Sequence, residues 1–339
     1  MIPAAPNSLE WTDSYAVASS GPPSAIDVIL GSRRAKDTHQ FACGRRLPGR
    51  SVKSQAKPPN AARSIEEKRP YPEKVMPPDQ PEFRGVDALQ KMVGDYDPST
   101  VDRRMSPYET MPGDNYFWVG SSAVEVVMAA CLSSQLTEVK RVLDLPCGHG
   151  RVLRHLVRLF PTATFDACDL DASGVEFCAA TFGARPVLSR EDLTSVEFEH
   201  LYDLIWIGSL FTHTSADVTR KWLAFLAGLL SDKGIIVATF HGRWATQLQR
   251  LTPYIDEERW AQILAEYNAT GYGYQDYAKG QGHDFISGSY GISAAKPHAV
   301  VKMLEGIRGT RLYSYRERAW GNNHDVAVFG RPDWNEAYW

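Results

Sequence analysis

The sequence lacks several things, and each absence removes a class of function. No run of 18 apolar residues occurs, so no membrane-spanning helix is expected. No charged stretch followed by an apolar one opens the chain, so no secretory signal is expected. The five cysteines, Cys43, Cys131, Cys147, Cys168 and Cys178, form no C-x-x-C pair and no Cys/His cluster of zinc spacing. Cys168 and Cys178 lie in apolar runs and read as small buried residues of a reducing compartment, hence a cytoplasmic protein. A formal charge of −3 over 339 residues gives no bulk electrostatic reason to expect nucleic acid. There is no G-x-x-x-x-G-K-[ST] phosphate loop and no internal repeat. No carboxylate cluster suggests a metal; Asp217 and Asp232 read as helix-capping and turn residues.

Order is unevenly distributed along the chain. Twelve of the 21 prolines fall between Pro3 and Pro81. Between Arg33 and Arg63 nine basic residues face only Asp37, and few aromatics are available to bury. That composition predicts a disordered basic extension over residues 1–80. Met76, Met92 and Met105 are alternative starts. Residues 81–137 read as an N-terminal helical segment, helical from about Ala123 to Leu132, with Tyr108, Tyr116, Phe117 and Trp118 as candidates to cover a ligand or simply to pack. Residues 138–339 read as the main domain, interrupted by an insertion over 242–310.

Within that domain, strand and helix alternate. Strands are expected at 141–145, 164–169, 185–188, 204–207 and 235–240, with helices at 151–160, 172–182 and 216–230. Runs such as Asp203-Leu-Ile-Trp-Ile207 are apolar throughout, which suits parallel strands covered on both faces. Past Phe240 come a helical segment (255–268), a glycine- and tyrosine-rich loop (271–291), a helix near 298–305, and two β-rich runs at 311–316 and 325–329. The fold class is α/β with a mostly parallel sheet.

The richest stretch is Val142-Leu-Asp-Leu-Pro-Cys-Gly-His-Gly-Arg151, a strand, a glycine turn and a helix start. Gly148 and Gly150 permit positive φ and a close approach of backbone to ligand, and the helix start presents unpaired amides. Asp169 ends the next apolar run, 19 residues past Gly150, near the spacing of about 20 at which a neighbouring strand brings a carboxylate to a ribose diol. A dinucleotide site wants a third small residue, where this sequence has Leu153; an NAD(P)-dependent oxidoreductase is therefore the lesser alternative.

Asp144-x-Pro146-x-Gly148-x-Gly150, with Asp169 beyond, resembles motif I and the ribose-binding acid of class I S-adenosylmethionine-dependent methyltransferases. Pro146 departs from it, standing where many members have a first glycine; its fixed φ leaves the turn to Gly148 and Gly150. The resemblance runs from about Met105 to Arg331, through Tyr202–His213 and Gly234–His241. It implies a Rossmann-like, seven-stranded sheet with a C-terminal antiparallel hairpin, and S-adenosylmethionine as cofactor. By that resemblance Asp144, Pro146, Gly148 and Gly150 hold the cofactor's methionine end and Asp169 its ribose. Leu170 and Asp192 are expected near adenine, and Gly208 and Ser209 line the crevice after the fourth strand. The phrases Gly273–Tyr277, Tyr290–Ser293 and Asn323–Val328 look like a bacterial subgroup associated with glycosyltransferases and carbohydrate modification. The implied activity is methyl transfer to a hydroxyl of a small molecule or glycan; a non-catalytic cofactor-binding partner of a glycosyltransferase is a further alternative.

If the acceptor is a hydroxyl, a base helps remove its proton, and histidine suits that task. His213 and His241 each follow a strand end on the functional rim and are the catalytic candidates. His149 reads as shaping the glycine turn. Tyr274, Asp276, His324 and Asp325 are further candidates for the acceptor pocket, and the rings of Tyr272–Tyr277 suit a sugar face.

Overall fold

The computed structural model describes residues 96–113, 115–278 and 290–332, with Asp87, Gln90, Lys91 and Gly94 as isolated positions before them. The chain divides into two units at Gln80/Pro81, and all described residues belong to the second. The expected basic extension lies outside the described residues.

Nine strands and seven helices carry the description. Helix α1 (Tyr116–Ser134) precedes β1 (Arg141–Leu145), α2 (Leu153–Leu159), β2 (Thr164–Asp169), α3 (Ala172–Phe182) and β3 (Arg185–Leu188). Then come β4 (Tyr202–Ile207), α4 (Ala216–Ala227), β5 (Leu230–Phe240), α5 (Ala245–Leu251) and α6 (Glu257–Thr270). The chain closes with β6 (Tyr272–Asp276), β7 (Gly291–Ala295), α7 (Pro297–Glu305), β8 (Arg311–Trp320) and β9 (His324–Gly330).

Seven strands form one sheet in the order β3-β2-β1-β4-β5-β9-β8, and β6 pairs with β7 in a second, small sheet. The pairings β1–β2, β2–β3, β1–β4 and β4–β5 are parallel, and β9 joins β5 and β8 antiparallel. This is the Rossmann-like arrangement with a C-terminal antiparallel hairpin that the sequence implied.

The period of two explains how one sheet serves two cores. Leu204 and Trp206 of β4 join a cluster with Leu153 and Leu156 of α2 and Val127 of α1, while Ile205 and Ile207 join Leu223 and Leu226 of α4 and Val300 and Leu304 of α7. Both faces are thereby covered, as a parallel sheet requires. Each such fully enclosed aliphatic side chain contributes about 1.5–3 kcal/mol.

Local chemistry sets the helix ends. Asp171 and Asp256 accept the Ser173 and Arg259 amides at the starts of α3 and α6, and Ser215 does the same for Val218 at α4. Gly183, at φ +71°, ends α3 in the left-handed region.

Three differences from the sequence reading matter. Helix α1 starts at Tyr116 rather than near Ala123, so the aromatic run is its first turn. By length and apolarity α1 could cross a membrane, yet it packs against α2 and β8 and buries Ala123, Val127, Ala130 and Cys131. The expected loop from Gly271 contains β6, and its far end is the start of β7. Strand β7 packs Ile292 and Ala294 against Trp260 and Ile263 of α6 in a third cluster.

Candidate active site

Ligands of open parallel sheets bind beyond the carboxyl ends of the strands where strand order reverses, here between β1 and β4. The turn after β1 is built as its glycines require. Gly148 and Gly150 have φ of +48° and +78°, and Pro146 carries no part of that left-handed geometry. A Cβ on Gly150 would fall 2.3 Å from the Phe182 ring. Gly174 of α3 is a glycine the sequence reading passed over. Its Cβ would lie 2.5 Å from the Gly148 carbonyl, so α3 approaches the turn through a side-chain-free position; a glycine inside a helical run was the available signal.

Two carboxylates flank this turn. Asp169, at the end of β2, accepts the Gly148 amide at 2.8 Å and the Asp171 amide at 3.0 Å. Burial raises its pKa above the ordinary carboxylate value, and the two amides work against that rise. Asp144 is 1% exposed, and neither carboxylate oxygen has a hydrogen-bond partner. Burial first, then the charge of Asp169, push its pKa well above the usual range. A buried, unpartnered carboxyl is costly unless a donor or cation completes it. Leu170 beside Asp169 is an exposed apolar side chain.

His149 sits in the turn, 3.3 Å from Asp171 through Nε2. Asp192 is taken up locally: it caps the short turn Leu193–Ser195 through the Thr194 amide, and Lys221 pairs with its second oxygen at 2.9 Å. The lysine, with the Thr194 bonds, holds its pKa down at about 2.

Beyond β4, Gly208 lies against Trp206 and Trp320, where a Cβ would come within 2.6 Å of the Trp206 ring nitrogen. Ser209 adopts φ +62° and donates its amide to the Thr239 hydroxyl at 2.7 Å.

His213 and His241 come together, ring centroids 6.5 Å apart. Strand β7 fixes both. Nδ1 of His213 bonds the Gly291 carbonyl at 2.8 Å, and Nδ1 of His241 bonds the Ser293 carbonyl at 3.2 Å. A carbonyl oxygen only accepts, so each Nδ1 carries the proton, and in the neutral ring Nε2 is the basic nitrogen. The two carbonyls are two residues apart on one strand and therefore point the same way. The sequence could not show this, because it assigned Gly291 to a loop.

Further rings gather around them. Tyr290 stacks on His213 at 4.8 Å, and Tyr277 lies 6.2 Å away. His324 stacks on His241 at 5.2 Å and on Trp320 at 5.0 Å, with Tyr254 covering His241 at 4.7 Å. Burial lowers the pKa of His241 well below 6.5 and that of His324 to about 3, with neighbouring imidazoles adding to both. Both rings are neutral at pH 7. Tyr290 feels the Asp169 charge after its own burial, which together raise its pKa to about 12; the imidazole group and the β2 carboxylate thus share one neighbourhood.

The remaining candidates separate from this group. Tyr272 is buried, its hydroxyl donating to the Thr214 carbonyl at 2.9 Å. Tyr274 donates to Asp276 at 2.6 Å. Asp325 is fully buried and accepts from the Tyr315 hydroxyl and the Arg318 amide, closing the β8–β9 hairpin. Among the described residues no group of three or more His, Cys, Asp or Glu side chains could hold a metal.

The strand order, the glycine turn after β1 and the acid at the end of β2 define the class I methyltransferase fold. A family model described as a methyltransferase domain matches residues 143–236, the stretch that holds the glycine turn and its acid, and S-adenosylmethionine is the cofactor that the resemblance of this turn implies. Its residues fit this cofactor: Asp169 and the unpartnered carboxyl of Asp144 offer acceptors to a molecule bearing an ammonium, a sulfonium and a ribose diol.

A fatty-acid O-methyltransferase of Mycolicibacterium smegmatis is 46% identical over 41 residues, 12% of this chain and 15% of that protein. The chain thus matches a small part of the length of this curated relative. Among solved structures, an S-adenosylmethionine-dependent methyltransferase from Clostridium acetobutylicum is 14% identical, with a TM-score of 0.42 over 63% of this chain and 91% of that one. An amino pentose methyltransferase from Micromonospora echinaspora, involved in calicheamicin biosynthesis, is 13% identical, with a TM-score of 0.42 over 66% of this chain and 99% of that one.

Proposed function

We propose that this protein transfers the methyl group of S-adenosylmethionine to a hydroxyl oxygen of a small molecule or glycan. The observation that carries the reading is the pair His213 and His241. Both stand at strand ends on the cofactor side of the sheet, each held by a β7 carbonyl as the Nδ1–H tautomer. That tautomer leaves Nε2 as the proton acceptor a hydroxyl nucleophile needs. The cofactor supplies an activated methyl on its sulfonium, so the protein's task is to orient the acceptor and keep water away.

In this reading Pro146, Gly148 and Gly150 cradle the methionine end, Asp144 completes its charge at the ammonium, Asp169 receives the ribose hydroxyls, and Leu170 packs on adenine. Gly208 and Ser209 line the crevice. His213 takes the acceptor's proton; His241, whose basicity burial reduces, orients the acceptor. The insertion over residues 242–310 forms the acceptor side, since it contributes β7, Tyr254, Tyr277 and Tyr290. The M. smegmatis relative, named as an O-methyltransferase, supports oxygen as the target. The buried free thiols of Cys131, Cys147, Cys168 and Cys178 suit the reducing cytoplasm.

The test has two stages. Calorimetry with S-adenosylhomocysteine should give a Kd near 1 μM, about −8 kcal/mol. Methyl-labelled S-adenosylmethionine is then offered to hydroxyl-bearing sugars and phenols and to their amino counterparts. Label in ether linkage, lost with His213→Ala, is the expected result. Label on nitrogen, or no binding of the cofactor product, sinks the proposal.

A further inference from the structure

Arg154 takes no part in the reading above, yet it is a charged side chain with 2% exposure. Its guanidinium donates in five directions and every acceptor is a neutral oxygen. Nε reaches the Gly150 carbonyl at 2.9 Å; Nη1 reaches the Asp102 and Arg104 carbonyls at 2.8 and 2.9 Å. Nη2 reaches the Tyr116 hydroxyl at 3.1 Å and the His149 carbonyl at 3.3 Å. Five bonds use all five N–H groups that an arginine has. The rings of Tyr116, Phe117 and Phe182 surround the cation at 5.2, 5.4 and 5.1 Å. Among the described residues no carboxylate pairs with it.

The Asp102 carboxylate feels its charge from beyond ion-pair distance, and burying a cation without a direct anion carries a desolvation cost that an apolar side chain of similar volume would not. Packing alone therefore does not account for Arg154; what it joins does. Two of its acceptors belong to the glycine turn after β1. Two more belong to the strap ahead of α1, residues 101–113, and the fifth is the first residue of α1. Two further observations bring the same parts together. Arg151, which follows Gly150, contacts Met111 of the strap through Nη1 at 3.9 Å. A Cβ on Gly120 of α1 would lie 2.3 Å from the Arg151 carbonyl, so α1 meets the segment leading into α2 backbone to backbone.

We propose that Arg154 is a positioning residue that couples closure of the strap to the geometry of the cofactor turn. If the strap lifts, the guanidinium loses Asp102 and Arg104, two of its five acceptors, and is left buried with unmet donors. Its relaxation then releases the carbonyls of His149 and Gly150. Strap and turn order together, and a ligand that binds the ordered turn stabilises the closed strap by the same free energy. This inference rests on the cofactor reading of the turn.

The experiment measures hydrogen exchange in residues 102–110 of the full chain, with and without S-adenosylhomocysteine, together with its Kd. Wild-type protein should bind the ligand and slow exchange in the strap. Arg154→Lys keeps the charge, but its single nitrogen cannot span five acceptors. It should weaken the ligand about tenfold, within the usual 5–150-fold range of coupling between sites, and abolish the ligand-induced protection. A purely structural arginine would lower thermal stability while leaving that protection in place. Should the lysine variant not fold, Tyr116→Phe removes one acceptor only, and a smaller loss of both affinity and protection is expected. Ligand affinity and strap protection unchanged in the folded variants overturn the coupling, as does a wild-type strap that ignores bound ligand. A wild type that binds no S-adenosylhomocysteine is a different failure, that of the methyltransferase reading itself.

Discussion

The carboxylate of Asp169 accepts the Gly148 amide at 2.8 Å, so the acid that ends β2 also braces the turn that follows β1. Asp169 thus serves the site twice, by holding the turn and by offering its charge to a ribose diol. Asp169→Ala removes both. Charge-assisted bonds are worth roughly 1.5–3 kcal/mol each, so the Kd for S-adenosylhomocysteine should rise by about 10- to 150-fold for each bond lost. Asp169→Asn keeps one acceptor oxygen and should lose less. Calorimetry on the three proteins decides it, and equal affinities would remove Asp169 from the site.

The two glycines of the turn should behave differently. Both need a positive φ, which costs a side-chain-bearing residue roughly 1–2 kcal/mol. A Cβ at Gly148 meets open space, while one at Gly150 runs into the Phe182 ring at 2.3 Å and the Cys178 sulfur at 3.2 Å. Gly148→Ala should therefore lower Tm by only a few degrees, since 1 kcal/mol shifts a domain of this size by about 2–4 °C. Gly150→Ala should lower it much further. A Gly150→Ala protein as stable as Gly148→Ala would mean the turn adapts freely.

Much of this was legible in the sequence because the relevant signals are local. Near-continuous apolar strands and the glycine spacing each act within a few residues. Strands β1, β2 and β3 and helix α3 begin and end where the patterns predict. The missing parts depend on distant neighbours. Gly291 reads as loop-forming, yet it opens β7 because Asp276 and His213 supply its partners from 15 and 78 residues away. Asp192 reads as a ligand contact until Lys221 is seen beside it. Arg154 carries no local signal of its burial, which depends on the strap and on the ring of Phe182.

Asp144 trades stability for binding. Its carboxyl is buried without a hydrogen-bond partner, and its raised pKa means that ionisation opposes folding. The stability linked to this group is fully present below pH 3.8 and is lost as pH rises through the elevated folded value. Asp144→Leu removes the carboxyl at similar volume, so the ligand-free protein should melt higher at pH 7–8 than wild type. The same change should weaken S-adenosylhomocysteine. A scanning calorimeter and a titration suffice; a lower melting temperature with unchanged affinity would reverse the argument.

Gly291 offers a way to disturb the histidines without touching them. A Cβ there would sit 1.8 Å from the Gln275 carbonyl oxygen, so Gly291→Ala must push β7 off β6. The Gly291 carbonyl that holds Nδ1 of His213 moves with it. Methyl transfer should fall by roughly 10²-fold or more, the usual contribution of a general base, while S-adenosylhomocysteine affinity stays near wild type because the glycine turn is untouched. Loss of affinity in step with rate would show that β7 supports the cofactor instead.

The stacked imidazoles predict how stability responds to acid. In an unfolded chain His241 and His324 titrate near 6.5; folded, burial lowers His241 well below this and His324 to about 3. Below pH 6.5 the unfolded chain therefore binds more protons than the folded one, and stability falls as pH falls, with the His324 share spent by about pH 3. Above pH 6.5 both states are neutral at these rings and the contribution is constant. His324→Phe keeps a flat ring between Trp320 and His241 but cannot take up a proton. Its Tm should fall less steeply than that of wild type between pH 7 and pH 5, and the two curves should converge in shape above pH 7. Parallel curves across the whole range would show that His324 titrates normally and is not enclosed by the stack.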